Sequence, residues 1–264
     1  MTFQPLVPLA GYAGWTFLQR TLDSQTEAFS RAPLNSRDIA YFKENIGQVL
    51  SASELVEDYQ LLRVALGAYG LQDDLQNKAF IEKVLADGTS DDAALSNSLA
   101  DKRYRAFSEA FGFGEAGVHK TLTAGFSDKI LSRFERQEFE RAVGEQNENM
   151  RFALTLSREL PEIVAEGFDT DTTWLTLMGN PPLRNVFETA FGLPNSIGLL
   201  DLDRQVEVFK ERSRQIYGTD NPAELATEET MDDVVKSYLG RAQINQFAQV
   251  ATPAAIALTL LQGA

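Results

Sequence analysis

Three segments of this chain end in the same way. LLRVALGAYGL (61–71), RYRAFSEAFGF (103–113) and LRNVFETAFGL (183–193) each close on Ala, an aromatic residue, Gly, and then Leu or Phe. That ending is a helix stop. Glycine accepts the left-handed conformation that terminates a helix, and the apolar residue after it packs back on the last turn. Gly70, Gly112 and Gly192 are therefore predicted to close three helices. The segments between them carry the same helical period. MDDVVKSYLGRA puts Met231, Val234, Val235, Tyr238, Leu239 and Ala242 on one stripe. DLQNKAFIEKVLADG aligns Leu75, Phe80, Ile81, Val84 and Leu85, with Gly88 as its stop, and DRQVEVFKERSRQIYG aligns Val206, Phe209, Ile216 and Tyr217 before Gly218. Start signals agree: Ser51-Ala-Ser-Glu54 is a capping box, Asp169, Thr170 and Asp171 precede Trp174, and Pro181-Pro182 fits a first turn. No stretch alternates with period two. The chain is predicted to be all-α.

The helix-stop reading also disposes of a false lead. GFGEAG, 112–117, spells G-x-G-x-x-G, the dinucleotide-binding fingerprint. A nucleotide loop follows a strand and opens a helix. What precedes Gly112 is a charged helical pattern that includes Arg103, Arg105 and Glu109. No nucleotide cofactor is expected.

The stops recur in pairs. After Gly70 comes a helix and then Gly88-Thr-Ser-Asp-Asp-Ala-Ala-Leu95; after Gly192 comes a helix and then Gly218-Thr-Asp-Asn-Pro-Ala-Glu-Leu225. This reads as an internal duplication with about eight extra residues in the second copy, around 194–200. The predicted organisation is an N-terminal arm (1–35), a single two-lobed multihelical domain (36–240), and a C-terminal apolar helical arm (241–264). The copies would run over about 36–114 and 149–240, joined by one helix over about 128–160.

Charge and composition exclude several functions. The chain has 264 residues, 24 basic and 38 acidic, for a net charge of −14. Such an acidic chain repels phosphate backbones and anionic lipid, so no nucleic-acid partner is expected. There is no cysteine and one histidine, His119. Zinc, iron–sulfur and thiol chemistry thus lose their usual ligands, and no catalytic residue, cofactor or metal is predicted. The pairs Asp73-Asp74, Asp91-Asp92 and Asp232-Asp233 fall at predicted helix starts, where negative charge suits the helix dipole. No apolar run reaches the ~20 residues of a membrane span. The start, MTFQPLVPLAGYAGW, lacks the basic region of a secretory signal. A cytoplasmic location is expected.

The charges are also unevenly placed. Residues 1–19 and 242–264 contain no Asp, Glu, Lys or Arg. Trp15, Leu18, Leu22 and Phe29 follow 3-4 steps in the first arm, with Gln25 filling the vacant position; Ile244, Phe247, Ala251, Ala254, Leu258 and Leu261 do so in the second, interrupted at Thr252-Pro253. Trp15, Leu18, Leu22, Phe247, Leu258 and Leu261 are predicted to bind a partner. The competing reading makes both arms part of the core.

The ending RAQINQFAQVATPAAIALTLLQGA resembles the C-termini of flagellin, hook and hook-associated axial proteins. A longer likeness lies in DIAYFKENIGQVLSASELVEDYQLLRVALGAYGLQDD, NKAFIEKVLADGTSDDAALSNSLADKRYRAFSEAFGF and LTLMGNPPLRNVFETAFGLP. These are similar to an uncharacterised all-helical bacterial family of unknown function, often encoded among flagellar genes. The resemblance implies a duplicated multihelical fold and a role in flagellar assembly. It attaches no catalytic residues.

Two functions follow as expectations. One is a non-enzymatic flagellum-associated protein, an axial or accessory component or an assembly factor. It would contact flagellar or export proteins, or a second copy of itself, through its uncharged termini, and export by the flagellar type III route is the alternative location. The other is a small-molecule-binding or enzymatic helical domain with a site between the lobes, drawing on Arg63, Arg103, Arg105, Arg184 and Tyr104.

Overall fold

Fourteen α-helices and no strand make up the fold among the described residues. It is seen in a computed structural model that describes residues 4–115, 117 and 119–250, apart from the side chains of 34 and 247–250. The first eight helices are α1 (Gly11–Ser30), α2 (Pro33–Asn45), α3 (Ala52–Glu57), α4 (Tyr59–Gly67), α5 (Lys78–Asp87), α6 (Leu95–Ser98), α7 (Arg103–Phe111) and α8 (Phe126–Gly144). The others are α9 (Glu148–Ala165), α10 (Thr170–Met178), α11 (Pro181–Phe191), α12 (Leu202–Tyr217), α13 (Pro222–Leu225) and α14 (Glu228–Val250). No helix of the described residues is long and apolar enough to cross a membrane.

The predicted caps are in place. Ser51 Oγ accepts from Glu54 N, and the Glu54 carboxylate accepts from Leu50 N at 2.7 Å. Asp169 accepts from the N–H groups of Asp171 and Thr172 at the head of α10. The three stops also form as predicted, with φ of 66°, 64° and 65° at Gly70, Gly112 and Gly192. Leu71 N donates to Leu66 O and Leu193 N donates to Glu188 O, the six-to-one bond of the Schellman ending. Gly112 uses the simpler form, with its own N–H on Ser108 O at 2.8 Å. Gly88 and Gly218 share positive φ but not conformation, at ψ −151° and −1°. The second pair of stops therefore does not superpose in local geometry.

By its contacts the chain divides into two compact units. The first comprises 1–6 and 19–146. Its core gathers Phe42, Ile46, Leu55, Leu62, Leu66, Phe107, Phe111 and Phe134, all at most 2% exposed. The second comprises, among the described residues, 7–18 and 147–250. There Trp174 lies edge-on to Phe187 and Phe209 and tilted against Phe191, with ring centroids 5.3–6.0 Å away. Its indole N–H donates to Asp220 O at 2.8 Å.

One predicted element is corrected. The single helix expected over 128–160 is two helices, α8 and α9. Asn147 breaks it: its backbone is extended, and its side chain accepts from Met150 N to cap α9. A capping residue satisfies free N–H groups only by leaving the helix itself.

The fold also accounts for the rest of GFGEAG. Gly114 lies against Gly88: a Cβ on Gly114 would stand 2.5 Å from Gly88 Cα and 2.6 Å from Ala86 O. One residue on, the Glu115 carboxylate accepts from the N–H groups of Thr89 (2.7 Å) and Ser90 (3.2 Å) and from both their hydroxyls. An anion does sit in a cradle of backbone donors here, and it is the chain's own. These hydrogen bonds, that of the Ser90 hydroxyl foremost, hold the Glu115 carboxyl down to about 2 from an ordinary 4.5. Because its pKa is depressed in the folded state, the stabilisation is complete above pH 4.5 and is lost as pH falls through 2. The melting gap between wild type and Glu115→Gln is therefore expected to be constant near neutrality and to close between these values. A gap independent of pH would contradict the assignment.

Candidate functional site

The charge-free start of α1 lies beside α14. Tyr12 Oη donates to Asp232 Oδ2 at 2.5 Å, and Lys236 Nζ stands 5.6 Å from the centre of the Tyr12 ring. Gln243 Oε1 lies 3.1 Å from the place of a Cβ on Gly11. The hydrogen bond to Asp232 raises the Tyr12 hydroxyl above the ordinary phenol value and keeps it a donor.

α14 itself has two unlike halves. Val234, Val235, Tyr238 and Leu239 are at most 2% exposed. From Arg241 onward the helix emerges: Arg241, Gln243, Asn245 and Gln246 are exposed, and Ile244 is 66% exposed. The cause is visible in the neighbouring helix. α11 packs along α14 and ends at Gly192, and the Arg241 guanidinium lies directly over that glycine. Past this point the chain of α11 turns away and α14 loses its cover.

The six predicted partner-binding residues divide accordingly. Trp15 and Leu18 are 1% and 0% exposed, so they are interior side chains and offer no surface to a partner in this fold. They belong to the buried stripe of α1 with Gln25 and Phe29. Gln25, a polar residue in that stripe, is satisfied by the backbone of Leu6, accepting from its N–H at 2.6 Å and donating to its carbonyl at 3.3 Å. Leu22 is half-buried. The side chain of Phe247, and Leu258 and Leu261, lie outside the described residues.

Of the polar groups considered for a ligand site, Arg63, Arg103, Tyr104 and Arg105 lie in the first unit and Arg184 in the second. Arg63 pairs with Asp38 and lies 3.9 Å from Glu138. Arg103 is held by Asp101 and the Gly70 carbonyl. Tyr104 donates to Asp74, while Arg105 is exposed. Arg184, in the second unit, pairs with Glu188 and donates to Gln205. All of these but Arg105 are engaged by their near surroundings. No group of three or more metal-ligating side chains occurs among the described residues.

Other exposed apolar side chains escaped the reading of the sequence. Leu199, Leu200 and Leu202 are 88%, 44% and 54% exposed, and Leu6 and Leu9 are also exposed. The signal was GLLDLD, 198–203, a run of three leucines without helical period.

Comparison with known proteins places this geometry. A search of the curated proteins gave no significant match. The crystal structure of protein AGR_C_984 from Agrobacterium tumefaciens, a structural-genomics target, is similar at 26% identity with a TM-score of 0.74. The likeness covers 92% of this chain and 99% of that one. The family model described as protein of unknown function (DUF1217) matches residues 68–225, from the end of α4 through α13. On that match this chain, with its all-helical fold, belongs to the DUF1217 family.

Proposed function

We propose that this protein acts without catalysis, by docking its segment 242–264 onto another protein. The observation that carries the reading is the divided α14. Met231 to Leu239 anchor the helix in the core, and the exposed continuation leads into 23 residues without one charge. An exposed helix normally carries charge on its wet faces. An apolar surface left uncovered invites aggregation, whereas a large side chain buried in a partner contributes about 1.5–3 kcal/mol. The N-terminal arm acts as support, since its Tyr12 and Gly11 lie against α14.

The process in which it docks is flagellar assembly, with other flagellar or export proteins as partners and the cytoplasm as the place of action. The resemblance of RAQINQFAQVATPAAIALTLLQGA to axial-protein C-termini and of the body to a family often encoded among flagellar genes supports this. The acidity of the chain supports a protein partner over nucleic acid. The test is deletion of the gene, with swimming scored in soft agar and filaments counted by electron microscopy. Loss of swimming or of filaments, restored by the wild-type gene, is the expected result. Normal filaments and normal swimming would reject the flagellar role.

A further inference from the structure

We infer that Leu50 and Leu122, edged by the carboxylates of Glu54 and Glu57, form a docking surface whose occupant is a basic amphipathic segment of another protein. The surface lies wholly in the first unit and does not depend on the docking role of 242–264.

Two distant parts of the chain build it. The 3-10 turns Ile46–Gln48 and Lys120–Leu122 pack against each other. Their inner residues hold the contact. Ile46 and Val49 are buried, and the buried Thr121 hydroxyl donates to Val49 O at 2.7 Å. The residue after each end of this bond is on the surface: Leu50 is 43% exposed and Leu122 is 54% exposed. Each turn is also closed by its own backbone, Val49 N donating to Ile46 O and Leu122 N to His119 O, both at 3.1 Å. The two leucines are thus presented by a bonded scaffold. A surface that is rigid before binding loses little entropy on binding.

The acids stand beside them. Glu54 reaches back to Leu50, its Oε2 accepting from Leu50 N at 2.7 Å. Glu57 lies three residues further along α3, on the same outer face, because Ala52, Leu55 and Val56 take the inner one. Both glutamates are exposed. From Glu44 to Leu62 the chain carries four acids and no base. The bases that border this stretch are engaged elsewhere. Lys43 pairs with Asp128, Arg63 with Asp38, and the Lys120 amine donates to Glu109 O at 2.6 Å.

Charge selects the occupant. Two leucines edged by carboxylates reject an acidic partner through like charge and favour Lys or Arg placed beside apolar side chains. The whole chain, at −14, draws in the same partner and repels a second copy. A helix with apolar residues at i and i+3 or i+4, flanked by Lys or Arg, meets both features at once.

Fluorescence anisotropy of a labelled amphipathic Leu/Lys peptide, with its Leu/Glu counterpart as control, tests this on the full chain. The Leu/Lys peptide is expected to bind and the Leu/Glu peptide is not. Leu50→Ser with Leu122→Ser, and separately Glu54→Gln with Glu57→Gln, are each expected to weaken binding by about tenfold or more. Glutamine preserves the capping box at position 54, so the second variant keeps its fold and decides the matter if the first does not fold. Leu199→Ser with Leu202→Ser removes two other exposed leucines and is expected to bind as wild type does. No binding of the Leu/Lys peptide, equal binding of the two peptides, or an affinity unchanged by the Glu54 and Glu57 substitutions overturns the proposal. So does an equal loss in the Leu199 and Leu202 variant, which would mean attraction to the chain at large.

Discussion

Trp174→Ala is expected to destabilise the second unit by about 3–5 kcal/mol, the range for truncating a large aromatic side chain in a packed core. Three buried rings lose their common neighbour at once, since Phe187, Phe191 and Phe209 all have their centroids within 6.0 Å of the indole. The Asp220 carbonyl also loses its donor, an added cost for a group left without a partner. At roughly 2–4 °C per kcal/mol for a domain of this size, the melting midpoint falls by about 6–20 °C. Trp174→Phe keeps most of the ring volume and gives up the N–H, so it is expected to cost much less. Calorimetry on the three proteins checks the order. An alanine variant within about 1 kcal/mol of wild type would mean that this cluster does not organise the unit.

The second large effect is at Gly114. Gly114→Ala places a methyl carbon 2.5 Å from Gly88 Cα and 2.6 Å from Ala86 O, and both obstacles are backbone. Backbone cannot turn aside as a side-chain end can, and Gly88 is itself fixed at φ 68° and ψ −151°. The two loops must separate, which also pulls Glu115 from its donors on Thr89 and Ser90. A loss of roughly 3 kcal/mol is expected, at the upper end of the range for forced overpacking. Gly47→Ala is the control, because nothing lies within 4 Å of its Cβ position. Equal melting midpoints for the two alanine variants would contradict the close approach.

These two sites show how far the sequence could be read. Helices and their stops were legible because both depend on neighbours along the chain. A period of 3.6, a capping side chain and a glycine with positive φ are all written within a few residues. The role of Gly114 was not legible, because its need for no Cβ comes from Gly88, 26 positions away. The break between α8 and α9 was written in Asn147, yet the apolar period continues on both sides and hides it. The candidate site was half legible. An uncharged segment with apolar residues in 3-4 steps fits a buried stripe and a docking face equally well. Trp15 and Leu18 proved to be the first, while Ile244 stands exposed. What separates them is the length of a neighbour, since α14 loses its cover where α11 ends. Only tertiary structure contains that information. The exposed leucines at 199–202 were missed because their exposure depends on a scaffold formed by Ile197, Gln205 and Arg184.

The central claim is that 242–264 docks and 231–239 anchors. The most direct test pairs a thermal melt with a swimming assay for two full-length variants, Ile244→Asp with Leu258→Asp and Leu261→Asp, and Val235→Asp alone. Val235 is fully buried, so an unpaired charge there is expected to unfold the protein. The triple variant is expected to melt with wild-type midpoint and cooperativity while its strain fails to swim. A triple variant that melts as early as Val235→Asp would show that the segment is core, and one that melts normally and swims normally would show that it docks nothing.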